Sequence, residues 1–151
     1  MTASSRRSVV IDGTRDAIWA ILDDPDALGR ILPGCESIVR DGPAAFRAVV
    51  AAKTGFLTIR ADVTATYHDA DPPSHLRLDL DGRPRGITGA FRASIPFDLV
   101  ALDEAHTEVR YSIDTTVSGA LASFGGGLIG GALTGQVDTL VRNLGRELAR
   151  D

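Results

Sequence analysis

Leu57-Thr58-Ile59-Arg60-Ala61-Asp62-Val63-Thr64-Ala65-Thr66-Tyr67-His68 decides the architecture. Apolar and polar residues alternate through it, the period of a β-strand with one buried face. The same period continues on both sides. Upstream, Phe46, Ala48, Val50 and Ala52 share a face, with Arg47 and Lys53 on the other. Glu36 to Arg40 reads as a shorter strand ahead of the Asp41-Gly42-Pro43 turn. Downstream, Asp71-Pro72-Pro73-Ser74 breaks the run, and Leu76, Leu78 and Leu80 resume it. Asp81 to Gly86 reads as a loop, its Arg83 and Arg85 forming a solvated basic tip. Phe91, Ala93, Ile95, Phe97 and Leu99 make another inward row. Pro96 beside them predicts an edge strand or a bulge, because proline donates no ladder hydrogen bond. Thr107, Val109, Tyr111, Ile113, Thr115 and Val117 make the last row. Short turns imply antiparallel pairing. A half-polar sheet then needs one face covered.

Both ends of the chain supply the cover. Ser8 to Ile11 reads as a first strand. Thr14 can cap a helix with Asp16 in its first turn, burying Ile18, Ile21 and Leu22 beside Trp19. Asp24-Pro25 starts a second short helix carrying Leu28, Ile31 and Leu32, and Pro33-Gly34 stops it. From Ser118 the period turns helical through Leu121, Phe124, Leu128, Ala132, Val137, Leu140, Val141, Leu144 and Leu148. The expected class is α+β: seven antiparallel strands, two short helices after strand 1, and a long C-terminal helix over the sheet. Residues 1–151 fit one domain.

Composition narrows the function. The net charge is −4, against nucleic-acid binding. Cys35 stands alone, so no intrachain disulfide forms. The apolar set is small: 20 Ala and 16 Gly against 5 Phe, 2 Tyr and 1 Trp. The alanines Ala48, Ala52, Ala61, Ala65 and Ala93 fall on inward rows, and seven glycines fall between Gly119 and Gly135. Interiors tolerate few voids, so this distribution places a cavity between sheet and helix. The uncharged stretch from Thr115 to Val137 is 23 residues, long enough to span a bilayer. Its glycines lower its hydrophobicity, and a helix lying on the sheet is the expected reading.

Motifs for catalysis are weak. Gly125 to Gly130 matches G-x-G-x-x-G, but only 21 residues follow and no second parallel strand can form. Steric relief or a kinked helix start explains the glycines better. His68, His75 and His106 all fall on outward positions without metal-pair spacing. No G-x-S-x-G elbow occurs. Cys35 after Pro33-Gly34 reads as a small buried hydrophobe. Tyr67, Tyr111, Thr107 and Thr115 are the inward polar groups, available either to a ligand or to the core.

Particular residues carry a family resemblance. Leu22-Asp23-Asp24-Pro25-Asp26-Ala27-Leu28 and Ile31-Leu32-Pro33-Gly34-Cys35-Glu36-Ser37 are similar to the N-terminal signature of the carbon monoxide dehydrogenase CoxG family. The Asp71–Ser74 turn, Gly86 to Ala93, Tyr111 to Gly119, and Gly119-Ala120-Leu121-Ala122 with Leu128-Ile129 resemble its later elements. The element order resembles the helix-grip fold of the START/polyketide-cyclase (SRPBCC) superfamily, a curved sheet wrapped around a long helix and an apolar cavity. The resemblance implies a cytoplasmic carrier rather than an enzyme, with no cofactor and no nucleic acid. Its ligand would be a quinone-like or lipid-like molecule. Its partner would be a molybdenum-containing carbon monoxide dehydrogenase or related hydroxylase, with peripheral contact at the inner face of the membrane. That contact would use the glycine-rich helix or the loop at Phe56-Leu57. The expected lining is Leu28, Leu32, Phe46, Ile59, Val63, Leu78, Phe91, Ile95, Tyr111, Ile113, Phe124 and Leu128. Two rivals stand beside the carrier. A polyketide cyclase or hydrolase needs an inward acid–base group such as a buried His68 or Asp79. A docking scaffold needs a filled core and no ligand.

Overall fold

The computed structural model describes residues 2–54 and 57–149. In chain order the elements are β1 (Thr2–Asp12), α1 (Arg15–Leu22), α2 (Pro25–Ile31), β2 (Cys35–Arg40), β3 (Ala45–Thr54), β4 (Leu57–Asp71), β5 (His75–Pro84), β6 (Ala90–Ala101), β7 (His106–Ser118), a 3-10 helix (Gly119–Phe124) and α3 (Gly126–Ala149). The strands form one antiparallel sheet in the order β1-β7-β6-β5-β4-β3-β2. This is the element order the alternation predicts. Thr14 caps α1 by accepting from the Ala17 N–H, and Asp24 caps α2 with Pro25 at its first position.

Four local expectations change. β1 begins at Thr2 rather than Ser8, because backbone pairing with β7 carries the polar Ser4-Ser5-Arg6-Arg7 stretch into the sheet. β5 runs on through Gly82 to Pro84, so Asp81 to Pro84 is strand and not loop. β6 is an interior strand despite Pro96. Its pairing with β7 covers Ala90–Ser94 and Phe97–Ala101 and skips Ile95 and Pro96, where the proline has no N–H to give. The uncharged stretch from Thr115 divides among the end of β7, the 3-10 helix and the start of α3. Gly125, at φ 98°, separates the two helices. Among the described residues no helix is long and apolar enough to cross a membrane.

The register lines inward side chains into rows across the sheet. One row runs Ile38, Ala48, Val63, Gly82, Phe91, Val117. The next runs Arg40, Phe46, Ala65, Leu80, Ala93, Thr115. A Cβ on Gly82 would run into the Phe91 ring, so the ring of one strand fills the space left by the glycine of the next. The core lies where α3 meets the sheet: Val137, Val141 and Leu144 pack with Ile11, Val109, Ile18 and Ile31. α3 rests on β1 and β7 and on α1 and α2. Its C-terminal half is tied to α2 by Arg30–Glu147 at 2.7 Å and by the Asn143 amide donating to the Ile31 carbonyl at 2.9 Å.

Two glycines in the first half of α3 face solvent. A Cβ at Gly131 or Gly135 would meet nothing within 4 Å, and both residues are exposed. Close approach to the sheet therefore does not explain these two glycines. Helical glycine costs about 0.5–1 kcal/mol relative to alanine. Gly131→Ala and Gly135→Ala should each raise stability by about that amount, read as a higher urea midpoint with an unchanged slope.

Candidate functional site

The inner face of the sheet has a packed half and an open half. α3 covers the β1–β7 side, and β3, β4 and β5 receive at most marginal contact from it. The twelve residues expected to line a cavity divide accordingly. Leu28, Phe46, Ile95, Tyr111 and Ile113 are buried in the core, and Leu78 is half-buried against it. They are structural packing, not an accessible lining. Leu32, Ile59, Val63 and Phe91 are partly exposed and lie outside that cluster. The side chains of Phe124 and Leu128 lie outside the described residues, as do Gly55, Phe56 and the side chain of Leu57.

Small residues border the open strip. Val63 sits between Ala48 on β3 and Gly82 on β5, and Ala61 faces Val50 and Pro84. Of the inward alanines, Ala48 and Ala93 are buried, Ala61 and Ala65 are half-buried, and Ala52 is exposed. The strip is apolar, shallow at its small residues, and walled by Phe91.

The inward hydroxyls separate cleanly. Thr107 Oγ1 donates to the Gly13 carbonyl at 2.8 Å, joining β7 to the start of α1. Tyr67 Oη donates to the Leu22 carbonyl at 2.7 Å, at the end of α1. Arg40 also reaches that end through Asp23, and its guanidinium lies 4.9 Å from the Phe46 ring centre. Tyr111 Oη donates to Asp138 on α3 at 2.6 Å. Burial pushes both phenols well above their ordinary value, and for Tyr111 the Asp138 bond adds to it. Thr115 is 2% exposed, and among the described residues its hydroxyl has no hydrogen-bond partner.

Asp138 is the residue the strand patterns do not reveal. It faces the sheet, bonded to Tyr111 and paired with Arg7 at 3.4 Å. Two signals point to it. It is the first charge after the long uncharged stretch, and Arg7 alternates with Val9 and Ile11 on the inner face of β1. Its carboxylate is committed to holding α3 on the sheet.

The outer face is a lattice of exchanged charges. Glu36 pairs with Arg60 at 2.7 Å and Asp62 with Arg85 at 2.8 Å, and these bonds hold both carboxyls below the usual range. Asp81 lies between Arg83 and Arg92 at 3.2 Å each. The basic tip expected from Arg83 and Arg85 is thus neutralised. His68 pairs with Asp79 at 3.3 Å on this face, so neither supplies an interior acid or base. His75 pairs with Asp98 at 2.7 Å. Asp103 raises the His106 imidazole above its ordinary value through a 2.8 Å bond. Two depressions of about 440 and 420 Å³ lie on this polar side, one around Arg6, Asp98 and Arg110, the other around Thr64, Arg77 and Asp114. Cys35 is half-buried, its Sγ 3.4 Å from the Ser37 carbonyl. Burial pushes the thiol up, the opposite of an activated nucleophile.

Comparison with known proteins agrees with this geometry. The family model of the carbon monoxide dehydrogenase CoxG subunit matches residues 8–149. No curated protein matches the sequence. Among solved structures, a conserved protein from Geobacillus kaustophilus superposes with a TM-score of 0.86 at 24% identity, covering 98% of this chain and 96% of its own. The Zhui aromatase/cyclase from Streptomyces sp. R1128 gives 0.74 at 12% identity, covering 99% and 95%. A START superfamily protein from Mycobacterium smegmatis gives 0.70 at 13% identity, covering 97% of each chain. At such identities these likenesses establish the fold alone. With the family model spanning nearly all of its length, the chain belongs to the CoxG family and carries the helix-grip, START-like fold.

Proposed function

We propose that the protein, acting as one START-like unit over residues 1–151, is a carrier. It holds a hydrophobic, quinone-like or lipid-like molecule against the open half of the inner sheet face. The observation that supports this most is the strip of Ile59, Val63 and Phe91. These are apolar side chains left partly exposed on the face that normally becomes core. Burying such area against an apolar ligand contributes about 25 cal/mol per Å². The interior offers no free acid or base among the described residues. Asp138 is engaged by Arg7 and Tyr111, and both tyrosines keep their protons. The reading is therefore non-catalytic. The family name supports a partner of the carbon monoxide dehydrogenase class; a related molybdenum hydroxylase, a cytoplasmic location and contact with the inner face of the membrane belong to the same proposal.

Solvent extraction of the purified protein followed by mass spectrometry tests this. An apolar compound should co-purify in a fixed molar ratio, and an added naphthoquinone should quench Trp19, which packs against the core. A protein that yields no apolar compound and shows no quenching is not a carrier.

A further inference from the structure

The sheet ends in two edges, β1 and β2. An edge presents unpaired main-chain groups, and proteins usually blunt it with a short strand, a bulge or a covering element. β2 follows that practice. It has 6 residues, its register shifts between Cys35 and Ser37, and α2 packs beside it. β1 does not. It has 11 residues and pairs with β7 without a register shift. The Gly13 N–H donates to the Ala105 carbonyl at 2.7 Å, just beyond the Asp12–His106 pair, and this fixes the alternation of the ladder. Arg7, Val9 and Ile11 therefore turn their main-chain groups to β7, and Arg6, Ser8, Val10 and Asp12 turn theirs outward. Val10 is 56% exposed, a large apolar side chain left in water at this edge. Arg6 has no ion-pair partner among the described residues. The Asp12 side chain is 89% exposed despite its contact with His106.

We propose that β1 is the docking edge for a second copy of this chain, the two β1 strands pairing antiparallel about a two-fold axis at Val9. Only registers that set outward-turned residues against one another close main-chain hydrogen bonds. Charge selects among those registers. An axis at Arg6 or at Arg7 sets that arginine against its own copy. An axis at Ser8 puts Arg6 opposite Val10, and an axis at Val10 leaves Arg6 past the end of the paired segment. The axis at Val9 sets Arg6 opposite Asp12 of the second copy, twice by symmetry, and lays each Val10 beside a Ser8. Arg7 then faces Ile11 of the second copy, its charge already met by its own Asp138 at 3.4 Å. The complementary pair that one chain leaves open is thus closed by two, and the two sheets become one. This dimer does not depend on the carrier reading.

Sedimentation equilibrium from low micromolar to several hundred micromolar protein tests this. The wild-type chain should approach twice its 15.9 kDa mass as concentration rises. Arg6→Asp and Asp12→Arg should each weaken self-association about tenfold, because each turns both ion pairs into repulsions. Mixed in equal amounts, the two variants should associate about as tightly as the wild type, since opposite charges again meet on both sides of the axis. Val10→Pro removes an outward N–H that the single chain does not use, so it should keep its circular dichroism spectrum and sediment as a monomer. A wild-type monomer throughout the range, a Val10→Pro dimer, or a mixture that associates no more tightly than its components overturns the proposal.

Discussion

Gly89→Ala is expected to destabilise the protein by about 3 kcal/mol or more, a drop of roughly 6–12 °C in melting temperature. Two effects act together. Gly89 has φ 114°, a conformation that side chains rarely adopt, and a Cβ there would run into the Ser118 carbonyl. Gly119 lies against it at φ 69°, its own position blocked by the Gly89 backbone and the Thr88 carbonyl. This backbone crossing joins the start of β6 to the end of β7 and launches the 3-10 helix, whose Leu121 N–H donates to the Thr88 carbonyl at 3.0 Å. Strain alone does not account for the expected size. Gly42 has a similar φ of 107°, but nothing lies within 4 Å of a Cβ there. Gly42→Ala should therefore cost only about 1–2 kcal/mol. Urea denaturation of both variants separates the clash from the dihedral. Equal losses would show that the crossing is not tight.

Val63→Trp is expected to abolish cargo capture while leaving the fold intact. Val63 is partly exposed between Ala48 and Gly82, with the Phe91 ring already over Gly82, so an indole there covers the exposed surface that remains. It would then occupy the ground the ligand uses. Overpacking of a filled site costs about 1–3 kcal/mol, which for a displaced ligand means about a 5- to 160-fold loss of affinity. Thr64→Trp, one residue along and on the polar face, is the control. Extractable ligand per mole of protein should fall in the first variant and not in the second. Wild-type loading in Val63→Trp would move the site away from this strip.

The fold was legible because its signal is periodic. Alternation through Leu57–His68 and its neighbouring runs marks the inward rows, and the capping residues Thr14 and Asp24 mark both short helices. What escaped the sequence has a common cause, namely contacts whose chemistry is in the backbone or on another element. Ser4 to Arg7 looks too polar for a strand, yet it pairs by main-chain hydrogen bonds that are blind to side chains. Gly82 looks like a turn residue until Phe91 is seen filling its place. Asp138 looks like a surface charge until Tyr111 and Arg7 arrive from β7 and β1. The burial of the expected lining residues was half legible. Alternation tells which residues face inward, but not how far α3 extends over them. Leu28, Phe46, Ile95, Tyr111 and Ile113 went to the core, while Leu32, Ile59, Val63 and Phe91 stayed partly exposed.

The uneven footing of α3 separates two quantities that one melting temperature would merge. Val137, Val141 and Leu144, together with the bonds from Asp138, Asn143 and Glu147, hold its second half to the rest of the molecule. Gly131 and Gly135 contribute no such contact ahead of them. Local opening of a helix draws on the free energy of its own segment, not on that of the whole domain. Opening at the start of the helix is then set by that end's own contacts, and the durability of the protein by the firmly held half. Selection can adjust either without moving the other.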